Sequence, residues 1–125
     1  MKTILIVPFR NRDAHLDYFL KNSWPPLKKK IPNIEMIVVE QIAGKKFNRG
    51  LMINIGYDYY KNRNYYYITQ DVDINPITDT AYEAYNADLS DNVIFSIYSY
   101  CDTLGGIIKL SGKSFEKMNG FPNDY

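Results

Sequence analysis

The chain opens with an uninterrupted apolar, β-branched run, Thr3-Ile4-Leu5-Ile6-Val7, that halts at Pro8. A run without polar alternation predicts a strand covered on both faces, as in a parallel sheet. Leu16, Phe19, Leu20 and Trp24 then recur at helical spacing behind Asp13, and Pro25-Pro26 is expected to stop that helix. Lys28-Lys29-Lys30 reads as a solvated loop, and Glu35 to Glu40 as a second buried strand. Beyond a loop containing Gly44, the positions of Leu51, Met52, Ile55 and Tyr59 space a second helix. Tyr65 to Thr69 is a third strand by aromatic and β-branched content, with two of its three tyrosine rings facing the core.

The later part continues the alternation. Thr78-Asp79 can cap a short helix through Tyr82 and Tyr85. Val93 to Ile97 and Gly106 to Leu110 are two further strands. Ser111 caps a last helix carrying Phe115 and Met118, which Gly120 ends before Phe121-Pro122. Short alternating strands and helices, with no repeat and no linker, predict one α/β domain over 1–125 with a mostly parallel, Rossmann-like sheet flanked by helices.

Composition narrows the function classes. With 125 residues the chain can bury roughly two-thirds of its unfolded surface, enough for a real core. A formal charge of +1 argues against a nucleic-acid partner. The single cysteine, Cys101, excludes an internal disulfide and reads as a small packing residue, and the single histidine, His15, reads as a surface helix residue. No apolar run approaches the ~20 residues of a membrane span or the form of a signal peptide, so a cytoplasmic protein without membrane insertion is expected.

In open parallel sheets, ligands bind beyond the carboxyl ends of the strands. Every polar cluster here is predicted at such an end: Pro8-Phe9-Arg10-Asn11-Arg12 after strand one, Phe47-Asn48-Arg49 after strand two, Asp71-Val72-Asp73 after strand three. Arg10, Arg12 and Arg49 suit fork-like bonds to a diphosphate, and Phe9 and Phe47 offer flat faces for a base. Two carboxylates two residues apart suit a hard divalent cation bridging phosphates. Together these clusters point to a nucleotide-phosphate site.

Those three motifs, with Gly105-Gly106 and Asn119-Gly120-Phe121-Pro122-Asn123, occur in the order and at the spacing of the β-1,4-galactosyltransferase family, which this chain resembles from Ile4 to Tyr125. The resemblance implies a GT-A fold, a UDP-sugar donor, a carbohydrate acceptor, Mn²⁺, and inverting transfer of galactose or an N-acetylhexosamine to a sugar hydroxyl. It implies that Pro8, Phe9, Arg10, Arg12, Phe47 and Arg49 line the uridine and diphosphate pocket. Asp73 would be the metal ligand, Asp71 and Val72 would lie against ribose and donor sugar, and Gly106 would allow close approach of that sugar. A strand-start turn is the other reading of Gly105-Gly106.

Three departures from the family pattern matter. The chain ends at Tyr125, before the family's Trp-Gly-Trp-Gly-Gly-Glu-Asp stretch with its general base, so the domain is expected to be truncated at its C-terminus. The family's remaining metal ligands, a histidine included, also lie downstream. Thr103 stands where galactosyl-transferring members carry an aromatic, which implies room for an N-acetyl group on the donor. Three readings are therefore carried: a glycosyltransferase; a non-catalytic UDP-sugar-binding module or half of a split enzyme; or a structural α/β protein that merely inherited the motifs. Apolar surface left by a missing C-terminal part implies self-association or a separate C-terminal partner chain.

Overall fold

The computed structural model describes residues 2–10, 13–41, 46–71, 79–89, 94–98 and 107–118, with only the backbone described for 79–81 and 94–98. Strand β1 (Thr3–Phe9) is buried along its whole length, because its pleat feeds two cores. Leu5, Val7 and Phe9 join Phe19, Leu27, Ile31 and Tyr85 on one side. Ile4 and Ile6 join Met52, Ile53, Tyr57 and Phe115 on the other. The unbroken apolar run at the start of the chain is the signature of that double burial.

Around β1 stand β2 (Ile34–Glu40), β3 (Tyr66–Gln70), β4 (Ile94–Tyr98) and β5 (Ile107–Ser111), in the order β2-β1-β3-β5-β4. The pairs β1·β2 and β1·β3 are parallel, while β5 runs antiparallel to both β3 and β4. Among the described residues four strands thus point one way and β5 alone is reversed, so the expected α/β sheet is mixed. β2 is an edge strand and is half-buried, not enclosed as its sequence suggested. β1 also continues through Pro8, which pairs with Val39 of β2 beyond the last β1·β3 pair, Ile6 with Thr69. A residue lacking an N–H is tolerated where pairing is one-sided.

Two helical expectations change. α1 (Asp13–Tyr18) runs into a π-helical turn (Phe19–Ser23), and Pro25-Pro26 lies in the first turn of a new helix, α2 (Trp24–Lys30). The Trp24 amide makes the last π-type bond, to the Phe19 carbonyl. The prolines follow where a first turn needs no amide donors, so they start a helix instead of stopping one. The wide turn also rotates Leu20 outward while Phe19 is buried. Lys28-Lys29-Lys30 forms the exposed last turn of α2, where cations complement the helix dipole.

The second change is in α3 (Arg49–Tyr60), whose buried face is Gly50, Met52, Ile53, Gly56 and Tyr57. Of the positions that spaced this helix in the sequence, only Met52 faces inward; Leu51, Ile55 and Tyr59 are exposed. Gly56 explains the rotation: a Cβ there would stand 2.7 Å from Ile6 Cγ2, so the helix approaches β1 through glycine. α4 (Asp79–Tyr85) covers the other face through Tyr82 and Tyr85, and α5 (Gly112–Lys117) follows the Ser111 cap. Phe115 of α5 is buried, whereas Met118 is exposed. Among the described residues no helix is long and apolar enough to cross a membrane.

Tyrosine hydroxyls fasten the connections. Tyr66 accepts from the Leu89 amide and donates to its carbonyl, and Tyr67 does the same for Asn62. Both rings are buried, as expected for two of the three in the run. Lys109 is 1% exposed, donates to the carbonyls of Tyr85 and Ala87, and lies 4.6 Å from the Tyr66 ring centroid.

Two outcomes are expected from this packing. Gly112→Ala should destabilise the fold more than Gly56→Ala in thermal unfolding. A Cβ at Gly112 would meet the backbone carbonyl of Asn62 at 2.3 Å, whereas at Gly56 it meets a side chain. Overpacking of the Gly56 type costs roughly 1–3 kcal/mol, offset by about 1 kcal/mol of helix propensity. Burial lowers the Lys109 ammonium pKa to about 8 against a weaker raising effect of Asp88. Between about pH 8 and 10 the unfolded chain therefore holds a proton that the folded chain has released, and this residue's contribution makes stability rise with pH, on the order of 2 kcal/mol. Burial raises Tyr67 to about 12 and Tyr85 further, which acts in the opposite direction only above about pH 10. Denaturant unfolding across pH 8–10 should show this rise in the parent and its loss in Lys109→Met.

Candidate functional site

Parallel pairing of β2, β1 and β3 places the segments that follow them on one rim. β1 ends in Phe9 and Arg10, β2 is followed by Gln41, and β3 is followed by Asp71. The chain returns to this rim through 46–48 and the start of α3. Asn48 caps that helix, its Oδ1 accepting from the Leu51 amide at 3.0 Å and its carbonyl from Met52 at 3.2 Å. The cap sets where α3 begins, and so sets the direction in which Arg49 leaves the backbone.

Two contacts tie the rim together. The Arg10 guanidinium lies 6.0 Å from the centroid of the half-buried Phe47 ring, at the outer limit of a cation–π contact. Arg49 Nε donates to Asp71 Oδ1 at 2.8 Å, with each side chain about 30% exposed. An ion pair this exposed stabilises a fold by about 1 kcal/mol or less. Its larger effect is positional: it holds one guanidinium edge against β3.

Gln41 organises the same rim and was not distinguished in the sequence. Its amide donates to the Phe9 carbonyl at 2.9 Å, its Oε1 accepts from the Asn48 amide at 2.7 Å, and its Nε2 donates to the Lys46 carbonyl at 2.9 Å. The only signal in the sequence is a primary amide, at once donor and acceptor, directly after a strand.

Six of the ten expected site residues are described. Arg10 lies beside Phe47, and Arg49 pairs with Asp71. Pro8 and Phe9 are part of buried β1, and Phe9 belongs to the core cluster of Leu5, Val7 and Ile107, so of the two rings only that of Phe47 is partly exposed. Arg12, Val72, Asp73 and Gly106 lie outside the described residues, as do Cys101 and Thr103. His15 is exposed on α1. Among the described residues no group of three or more His, Cys, Asp or Glu could hold a metal ion. Among the described residues, recesses of about 340 and 130 Å³ open at the opposite ends of the strands, beside Lys2 and Glu35 and beside Asn33 and Lys109. Neither has a place in the rim chemistry.

Comparison with known proteins matches this architecture. Mouse β-1,4-galactosyltransferase 1 is 33% identical over 131 residues, covering 99% of this chain and 33% of the mouse protein. Human β-1,4-galactosyltransferase 4 is 33% identical over 133 residues, covering 99% and 38%. The chain therefore spans about a third of the length of these relatives. A Drosophila β-1,4-galactosyltransferase 7 mutant, crystallised with manganese, UDP-Gal and xylobiose, superposes with a TM-score of 0.83 at 29% identity, over 99% of this chain and 54% of that one. The catalytic domain of the Drosophila enzyme with xylobiose gives 0.80 at 30% identity, with the same coverage. The expected GT-A-type fold is thus that of galactosyltransferase catalytic domains. The family model for the N-terminal region of glycosyl transferase group 7 matches residues 1–87, and the chain belongs to that family.

Proposed function

We propose that this chain is the UDP-sugar-binding part of a glycosyltransferase of β-1,4-galactosyltransferase type. It would serve the inverting transfer of galactose or an N-acetylhexosamine from a UDP-sugar to a sugar hydroxyl, with Mn²⁺. One observation carries the reading: Arg10 with Phe47 and Arg49 with Asp71, drawn from separate segments, meet on the rim where a parallel sheet binds ligands. The support from similarity is the Drosophila relative, whose crystals contained manganese, UDP-Gal and xylobiose.

Each residue then has a task. Phe47 offers its ring to uracil, with Arg10 alongside. Arg49 is bound to Asp71 through Nε, so its remaining N–H groups are the ones to meet the diphosphate. Arg12 is assigned to the same phosphates, Val72 to the ribose and donor sugar, and Gly106 to close passage of that sugar. Asp71 faces the Arg49 guanidinium, and the family resemblance gives the metal to Asp73. When bound, Mn²⁺ would offset the charge on the departing UDP. The general base is assigned to no residue of this chain.

Calorimetry with UDP tests the reading. Mn²⁺ should strengthen UDP binding, and Asp73→Ala should remove that gain, about 10- to 100-fold, while leaving metal-independent binding in place. If Thr103 leaves the room that the resemblance implies, UDP-GalNAc should bind no more weakly than UDP-Gal. Transfer to an N-acetylglucosamine or xylose acceptor by this chain alone would identify a complete catalyst. Binding without transfer would identify the binding module or half-enzyme. Absence of UDP binding with and without Mn²⁺ would sink the proposal.

A further inference from the structure

We infer that Gln41 is a positioning residue for the nucleotide site, an assignment that rests on the UDP-binding reading. Its backbone and side chain join three pieces of the rim. The main-chain amide ties it to the carbonyl of Phe9, the residue before Arg10. Its two side-chain atoms reach across residues 42–45 to Lys46 and Asn48, the neighbours of Phe47 on either side. Phe47 is therefore held from both flanks by one primary amide, and its ring lies 6.0 Å from the Arg10 guanidinium.

The consequence extends to Arg49. Asn48 donates its amide to Gln41 and uses its side chain and carbonyl to start α3. The helix cap is thus anchored to the end of β2, and Arg49, the first residue of α3, inherits that anchor before it reaches Asp71. Gln41 would act on ligand binding without touching the ligand: it fixes the aromatic and the guanidinium relative to each other before UDP arrives. Preorganisation of this kind raises affinity by reducing the ordering required on binding.

The side chain must supply an acceptor and a donor at once, which only an amide of this length does here. Gln41→Ala removes both bonds. Gln41→Glu keeps an oxygen for the Asn48 amide but sets a carboxylate against the Lys46 carbonyl. Two readouts are compared: amide hydrogen exchange of Asn48 in the unliganded chain, and UDP affinity with Mn²⁺.

In Gln41→Ala, exchange at Asn48 should accelerate at least about tenfold while Ile53 and Tyr57 within α3 keep parental rates, and the Kd for UDP should rise about tenfold. Gln41→Glu should recover part of both, and it carries the test if the alanine variant does not fold. Parental UDP affinity in a variant whose Asn48 amide exchanges faster would reduce Gln41 to a structural role and overturn the inference. Unchanged Asn48 exchange would overturn it as well. If the parent itself fails to bind UDP, the functional reading has failed, an outcome distinct from binding that is indifferent to Gln41.

Discussion

Parallel pairing of the fully buried β1 with a strand on each side is the constraint from which the rest of the molecule follows. Seven consecutive residues have no solvent-facing side, so β1 needs strands at both edges and helices on both faces. Because β2 and β3 run in the same direction as β1, their carboxyl ends finish together. Residues 31 and 61 positions apart in the chain, Gln41 and Asp71 counted from Arg10, arrive at one rim by that geometry alone. The rim is a by-product of burying β1, and its polar residues are what the sequence adds to it.

Energetic scale separates the parts of the structure that hold the fold from those that arrange the site. Apolar burial on the two faces of β1, at roughly 1.5–3 kcal/mol for each large side chain, outweighs every polar contact at the rim. The Arg49–Asp71 pair and the Arg10–Phe47 contact are each of order 1 kcal/mol or less at their exposure. Contacts so weak stabilise the protein little, yet they decide where two guanidinium groups and one aromatic ring stand. That is the property a diphosphate site requires, since affinity for a charged ligand depends on the placement of donors more than on their number.

Much of this was legible in the sequence because each signal had one physical source. The unbroken run of β1, the aromatic β3 and the Ser111 cap all appear where their composition placed them. Where the reading failed, the deciding residues were ones that hydrophobic counting ignores. Gly56 turns α3 by letting its backbone approach β1, and a π turn makes Pro25-Pro26 the start of a helix. At the site, Arg10, Phe47, Arg49 and Asp71 could be named because they are charged or aromatic at strand ends. Gln41 could not, since its importance lies in three hydrogen bonds across a chain reversal that no local pattern encodes.

The central claim is that a uridine diphosphate binds across the carboxyl ends of β1, β2 and β3. Backbone amide shifts followed by NMR during a UDP titration locate the ligand most directly. The account predicts perturbation of Arg10, Phe47, Arg49 and Asp71, with Lys2, Asn33 and Glu35 at the opposite rim unmoved. Shifts confined to Lys2, Asn33 and Glu35, or spread evenly over both rims, would contradict it.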